Sequence, residues 1–238
     1  MTELILGVGE PFASPAWGSN FVVFTGDTGE AIPEESAKAY LSKACRYARS
    51  YGVYLVPERL VLMGYQCLCL LSPAGMVLGA QKSAYASPSR RGGKRSTTLE
   101  VLSTEFGGIF LCVDADVYHP EVARYAAGLG AQIYVCSQQL SRLEYGSHLV
   151  VSGVWSVAQQ NRAFSIGVSG QYHCVCAPLQ LTTHADGFVA PPNLRLPMTA
   201  RIDASQLASV PSRPALSRRF YATHRDELIR PLQHPGGA

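Results

Sequence analysis

Two aspartates that follow a buried strand are the first residues of this sequence with the potential for acid–base chemistry. Residues 109–113 are all apolar, which is typical of a strand covered on both faces. Asp114 and Asp116 come next, and Pro120 then occupies the first position of a predicted helix. In open α/β sheets, ligands bind at the carboxyl ends of strands. The sequence therefore predicts an α/β fold with Asp114 at its ligand-binding edge.

A loop over residues 83–98 is the second segment with chemical potential, because it has four cations and no acidic residue. The cations are Arg90, Arg91, Lys94 and Arg95. The simpler interpretation is a glycine-containing loop with solvated side chains. The alternative is a lid that brings arginines to an acidic or phosphorylated ligand, for which the planar guanidinium is suited. The glycine spacing excludes a Walker-type phosphate loop.

The seven cysteines predict buried thiols in a reducing compartment, because six of them lie in apolar, strand-like runs. Those six are Cys67, Cys69, Cys112, Cys136, Cys174 and Cys176. The C-x-C pairs among them lack the spacing of zinc ligands. We therefore expect neither a metal nor a cofactor.

Composition limits the class of protein. A chain of 238 residues with 47% hydrophobic and 16% charged residues is long enough for one sizeable core, so we expect a single α/β domain. The net charge of +3 gives no support for a nucleic-acid partner. The apolar run 60–79 is interrupted at 72–75 by turn residues, which predicts a hairpin and not a membrane span. With no secretory leader visible, we expect a cytoplasmic protein without a membrane partner.

The elements that must position these residues follow from the patterns of apolar residues. Prolines and glycines make 9–20 a loop, and spacings of three and four predict an amphipathic helix over 34–51. The remaining predictions are strands at 4–8, 21–24, 53–59, 163–170 and 174–181, a hairpin over 60–78, helices from Pro120 and over 150–161, and an irregular, partly disordered arm over 211–238.

The run Phe106-Gly-Gly-Ile-Phe-Leu-Cys-Val-Asp114-Ala-Asp116-Val-Tyr-His-Pro120-Glu121 resembles the central motif of the carbon–nitrogen hydrolases, the nitrilases and aliphatic amidases. Asp116, Pro120 and Glu121 match that motif without a gap. The resemblance extends over about residues 21–210. It implies an α-β-β-α sandwich that dimerises through the helix after Pro120, and a domain over 1–210 followed by an arm over 211–238.

The same resemblance implies that much of the hydrolase machinery is missing. The position of the nucleophilic cysteine is occupied by Asp114, and that of the general base by Gly26, with Asp27 beside it. The loop 83–98 lacks the family's second glutamate. Lys82 fits the place of the lysine that stabilises the oxyanion, although one residue is missing between Gly79 and Lys82.

Three roles are open for Asp114: a structural pair with Lys82 that closes a dead pocket, a general acid or base, or a nucleophile. Cys112 is the weak alternative nucleophile. Strand alternation places it on the face of Asp114, about 6–7 Å further back, in an apolar run that favours an inert core thiol.

We therefore expect a nitrilase-like protein without thiol hydrolase activity that acts as a binding or partner subunit. Two alternatives stand: a repurposed enzyme that acts on a small amide or carbonyl metabolite through Asp114 and Lys82, and a conventional amidase. Whether the chain is an enzyme is left open. Expected partners are a second copy in a homodimer or larger homo-oligomer, another protein, or a small molecule. The candidate binding residues are Gly26, Asp27, Arg90, Arg91, Lys94, Arg95 and Gln138.

Overall fold

The computed structural model describes residues 2–26, 30–85, 94–140 and 146–211. The candidate residues Asp27, Arg90 and Arg91 lie outside these ranges, as does the arm expected over 211–238 except for its first residue. Within the described ranges, no helix is both long and apolar enough to cross a membrane.

The described residues form thirteen strands and four α-helices. The strands are β1 (Leu4–Gly9), β2 (Phe21–Phe24), β3 (Tyr54–Val56), β4 (Leu60–Leu62), β5 (Tyr65–Leu71), β6 (Val77–Lys82), β7 (Leu102–Thr104), β8 (Gly107–Val113), β9 (Ile133–Ser137), β10 (Phe164–Val168), β11 (His173–Cys176), β12 (Phe188–Asn193) and β13 (Met198–Ile202). The helices are α1 (Glu34–Tyr51), α2 (Pro120–Gly128), α3 (Ser147–Val150) and α4 (Ser156–Asn161), and a π-helical segment, Val151–Trp155, joins the last two.

Two mixed β-sheets pack face to face. The first has the order β13-β1-β2-β3-β5-β4, with β6 also paired to β5, and the second has the order β12-β11-β10-β9-β8-β7. The core between them is aliphatic and aromatic, and includes Leu6 and Val23 from the first sheet and Leu111 and Val135 from the second. The uninterrupted apolar runs of β2 and β8 are explained by this arrangement, because both faces of these strands are covered.

Helices cover the outer faces of both sheets. Residues of α1 pack on β2, β3 and β5, whereas residues of α2 and α4 pack on β8, β9 and β11. The α-β-β-α sandwich expected from the sequence is therefore confirmed. Residues 10–20 form neither a helix nor a strand, as their prolines predicted, so α1 is the helix that covers the first sheet in the described part of the chain.

The strands that position the candidate site run parallel. β2 is parallel to β3 in the first sheet, and β8, β9 and β10 are parallel neighbours in the second. Their carboxyl ends therefore lie at the same edge of the sandwich. Thr25 links the two sheets there, since its hydroxyl donates to the Ser169 carbonyl over 3.3 Å.

Candidate functional site

Asp114 lies at the sharp turn between β8 and a short 3₁₀-helix, Asp114–Tyr118. Its φ is +51°, in the left-handed region that a non-glycine residue seldom adopts. The backbone N–H of Gln139, just beyond β9, donates to Asp114 Oδ1 over 2.8 Å. Asp114 is therefore held at the strand edge, as the sequence predicted, with only 5% of its surface exposed.

Arg59 is the partner of Asp114. Its Nη1 lies 3.1 Å from Asp114 Oδ1, and the two side chains are 2% and 6% exposed. Arg59 follows β3, so this ion pair joins the first sheet to the second. The pair between Asp114 and Lys82 that the sequence suggested is therefore wrong: the cation at this site is an arginine from a different strand end.

Glu58 fills the space beside Gly26. A Cβ atom at position 26 would lie 2.1 Å from Glu58 Oε1, so a larger residue there would collide with this carboxylate. Tyr40 from α1 donates to Glu58 Oε2 over 2.7 Å. Position 26 thus lacks a side chain, but a carboxylate from the neighbouring strand end lies next to it.

Lys82 lies on the surface and not in the pocket. It is exposed, and its Nζ lies over the Tyr65 ring, 4.7 Å from the ring centroid. Its neighbour Gln81 faces inward instead, where its side-chain amide donates to the Thr98 carbonyl over 3.1 Å. A shift of one residue along a strand moves a side chain to the opposite face, and the missing residue before Lys82 is such a shift.

The two described cations of the basic loop are also outside the pocket. Lys94 and Arg95 are exposed, and Lys94 Nζ lies 5.6 Å from the centroid of the same Tyr65 ring. The structure therefore does not bring these two predicted binding residues to Asp114.

Gln138 does line the cavity at the strand ends. Thr25, Gly26, Glu58, Arg59 and Ser169 line it too, and its volume of about 10 Å³ leaves room for roughly one water molecule. The side chain of Gln138 donates to Tyr118 Oη over 2.6 Å and accepts a hydrogen bond from Tyr172 Oη. Its orientation is thereby fixed by two tyrosines.

Asp116 has a structural role. It is fully buried and accepts hydrogen bonds from the backbone N–H groups of Ala84 (3.0 Å) and Tyr85 (2.8 Å). Burial raises its pKa to about 6, and these hydrogen bonds oppose the increase. Asp116 therefore fastens the beginning of the basic loop to the strand edge.

Cys112 is buried in the core. It packs with residues of α2 and α4 on the outer side of the second sheet, whereas Asp114 pairs with Arg59 from the other sheet. The expectation that both side chains share a face is wrong, because the left-handed conformation of Asp114 ends the alternation of the strand. The hydrogen bond with Cys136, together with burial, raises the pKa of the Cys112 thiol well above its ordinary value.

Comparison with known proteins identifies the fold. No family model matches the sequence, and no curated protein of similar sequence was found. Solved structures do match. A cysteine-to-alanine mutant of an amidase from Nesterenkonia sp. AN1, in complex with butyramide, aligns with a TM-score of 0.67 and 18% identity over 92% of this chain and 97% of that chain. A carbon–nitrogen hydrolase from Helicobacter pylori G27 aligns with a TM-score of 0.70 and 14% identity over 97% of this chain and 98% of the other.

The same amidase is described as a member of the nitrilase superfamily. This chain has the nitrilase-superfamily fold. A further structure of that amidase, a glutamate mutant, shows the acetamide moiety of fluoroacetamide added covalently at its active-site cysteine. It aligns with a TM-score of 0.65 and 18% identity over 92% of this chain and 97% of that chain.

Glu58 and Arg59 are the two residues of this nitrilase-fold site that the sequence reasoning missed. They were assigned to the end of a strand, with no role in the site. The available signal was the charged pair Glu58-Arg59, which comes directly after the apolar strand β3 and Pro57. Residues that meet only through the pairing of β2 with β3 have no fixed spacing in the sequence.

The side chains at this edge are suited to proton transfer or to a fixed ion pair. Glu58, Arg59 and Asp114 supply two carboxylates and one guanidinium, and the residues that line the cavity include no cysteine. Within the described residues, no group of three or more His, Cys, Asp or Glu side chains could hold a metal ion.

Proposed function

We propose that this chain is a nitrilase-fold protein that does not hydrolyse carbon–nitrogen bonds and acts as a binding or partner subunit. The observation that carries the proposal is the buried Arg59–Asp114 ion pair, 3.1 Å long, at the strand edge. An acyl-transfer enzyme of this kind needs a nucleophile, a base and room for a tetrahedral intermediate. Here Asp114 is held by Arg59, and the cavity admits about one water molecule.

The ion pair also makes opening of the pocket costly. Removing one partner of a buried pair leaves an uncompensated charge, which costs about 3–5 kcal/mol. A substrate that displaced Arg59 from Asp114 would have to compensate for that cost. The geometry therefore supports a stabilising function for the residues that replace the catalytic ones.

We further propose that the chain forms a homodimer through α2. Two large apolar residues on or next to this helix are exposed: Tyr125 (60%) and Leu129 (48%). Leu129→Lys is expected to yield a monomer in size-exclusion chromatography with light scattering. Leu194→Lys is the matched control, since Leu194 is 60% exposed and lies outside α2. Equal masses for the wild type and both variants would contradict this interface.

A repurposed enzyme is the second candidate. Asp114 Oδ2 is buried and accepts no hydrogen bond from the described part of the chain, and the left-handed backbone of Asp114 is of a kind found at functional sites. In this alternative, Asp114 acts as a general acid or base, with Arg59 in the role that the sequence suggested for Lys82.

Ammonia release distinguishes these proposals. The purified protein is incubated with a panel of amides, nitriles and carbamoyl compounds, beside Asp114→Ala and Cys112→Ala. The partner proposal expects no turnover by any of the three proteins. Turnover that is lost only in Asp114→Ala, while its circular dichroism spectrum stays that of the native protein, would establish the repurposed enzyme. Turnover that is lost only in Cys112→Ala would establish a thiol amidase.

A further inference from the structure

β6 forms an edge of the first sheet with an unusually apolar surface. Among the described residues it pairs with β5 and with no other strand. Met76, just before this strand, and Val77 and Leu78, its first two residues, are 61%, 46% and 42% exposed. A sheet edge that carries three large apolar side chains is a recognised site of association with another chain.

Positive charges lie at both ends of this apolar segment. At the far end, Lys82 and Lys94 both lie over the Tyr65 ring. At the near end, the turn before β6 packs on α1, where a Cβ at Gly75 would lie 3.1 Å from Arg49 Cβ, and Arg49 is exposed. No ion-pair partner of these three cations is present within the described residues.

These features argue against pairing between two copies of β6. The register of β6 with β5 shifts between Leu70 and Leu71, so a bulge interrupts the edge where its apolar residues lie. The bulge disfavours continuous backbone pairing along this edge with any second strand, so a segment bound here is held by contacts of its side chains. Two antiparallel copies would also bring the lysine end of one strand towards the arginine end of the other.

We propose that the β6 edge is a docking surface for an acidic, extended segment of a different protein. Apolar side chains of that segment pack on Met76, Val77 and Leu78, and its carboxylates reach Lys82 and Lys94. Val77 and Lys82 are five residues apart, so the two halves of the partner motif are separated by about 17 Å in an extended chain. This surface is separate from the Asp114 site, so the inference does not depend on whether that site is inactive.

Fluorescence anisotropy with synthetic peptides tests this surface. The probe is a short fluorescein-labelled peptide with glutamates at one end and Val-Leu-Phe at the other. One matched peptide replaces the glutamates with lysines, and a second replaces Val-Leu-Phe with serines. We expect saturable binding of the first peptide that is at least tenfold tighter than binding of either matched peptide.

Protein variants locate the binding. Leu78→Lys, and separately the double variant Lys82→Glu/Lys94→Glu, are expected to weaken binding of the acidic peptide at least tenfold. Arg195→Glu/Arg201→Glu is the control, since it makes the same change in net charge at exposed residues in and just before β13, at the opposite end of the first sheet. No saturable binding, equal binding of the lysine peptide, or equal weakening by the control pair would overturn the proposal.

Discussion

Replacement of Arg59 by methionine is the most informative perturbation of the closed site. Arg59 and Asp114 are 2% and 6% exposed, so Arg59→Met leaves a carboxylate in a place that water does not reach. Loss of one partner from a buried ion pair costs about 3–5 kcal/mol. Domains are typically stable by about 5–15 kcal/mol, so this loss is a large part of the total. It corresponds to a fall in the melting temperature of roughly 6–20 °C.

The double variant Arg59→Met/Asp114→Asn isolates the ion pair from other effects of substitution. Asparagine removes the buried charge but keeps an acceptor for the Gln139 N–H. We expect the double variant to be more stable than Arg59→Met by about 2–3 kcal/mol, since neither residue is then an unpaired charge.

Urea unfolding followed by far-ultraviolet circular dichroism at pH 7 measures these differences. The control is Arg201→Met, which breaks a pair of similar length, 2.9 Å to Glu3, whose side chains are 72% and 44% exposed. Exposed pairs contribute about 0–1 kcal/mol. The reasoning is refuted if Arg59→Met loses no more stability than Arg201→Met, or if Arg59→Met/Asp114→Asn is no more stable than Arg59→Met.

Two further predictions concern Gly26 and His173. Gly26→Ala is expected to lower the free energy of unfolding by about 1–3 kcal/mol in urea titrations, because the new Cβ would collide with Glu58. Gly9→Ala is the control, since no atom lies within 4 Å of a Cβ placed there. Equal losses of stability in the two variants would contradict the collision. Burial lowers the pKa of His173 to about 4, below its value in the unfolded chain. The contribution of neutral His173 to the free energy of unfolding is therefore complete above about pH 6.5. Up to about 3 kcal/mol of it is lost as the pH falls through 4. Asp116, whose pKa is raised to about 6, opposes this trend by favouring the fold as the pH falls from 6 towards 3.8. Urea unfolding between pH 4 and 7 should therefore show a weaker loss of stability on acidification in His173→Asn, and an unchanged pH dependence would contradict the role of His173.

Much of the fold could be predicted from local patterns. The apolar run of β2, the spacing within α1 and the proline that begins α2 are local signals, and the structure places these elements at the predicted residues. The absence of a helix between β1 and β2 also followed from the prolines of that segment. Such features depend on neighbouring residues, and a sequence records them directly.

The composition of the site could be predicted only in part. Asp114 was placed correctly, since it follows a recognisable strand. Its partner Arg59 was missed, because the contact depends on the approach of two sheets. Lys82 was assigned to the pocket by resemblance to a motif, although the missing residue before it reverses the face on which it lies. The position of Lys82 is therefore determined by the register of β6, which the motif alone does not define.

Cysteine labelling tests the central claim, that no thiol acts as a nucleophile in this nitrilase-fold site, without knowledge of any substrate. The native protein is incubated with fluoroacetamide, whose acetamide moiety adds to the active-site cysteine in a glutamate mutant of the Nesterenkonia amidase, and its intact mass is measured beside that of Cys112→Ala. We predict that the mass of both proteins is unchanged. A stoichiometric acetamide adduct on the native protein that is absent from Cys112→Ala would show that a working thiol site is present and would contradict the account.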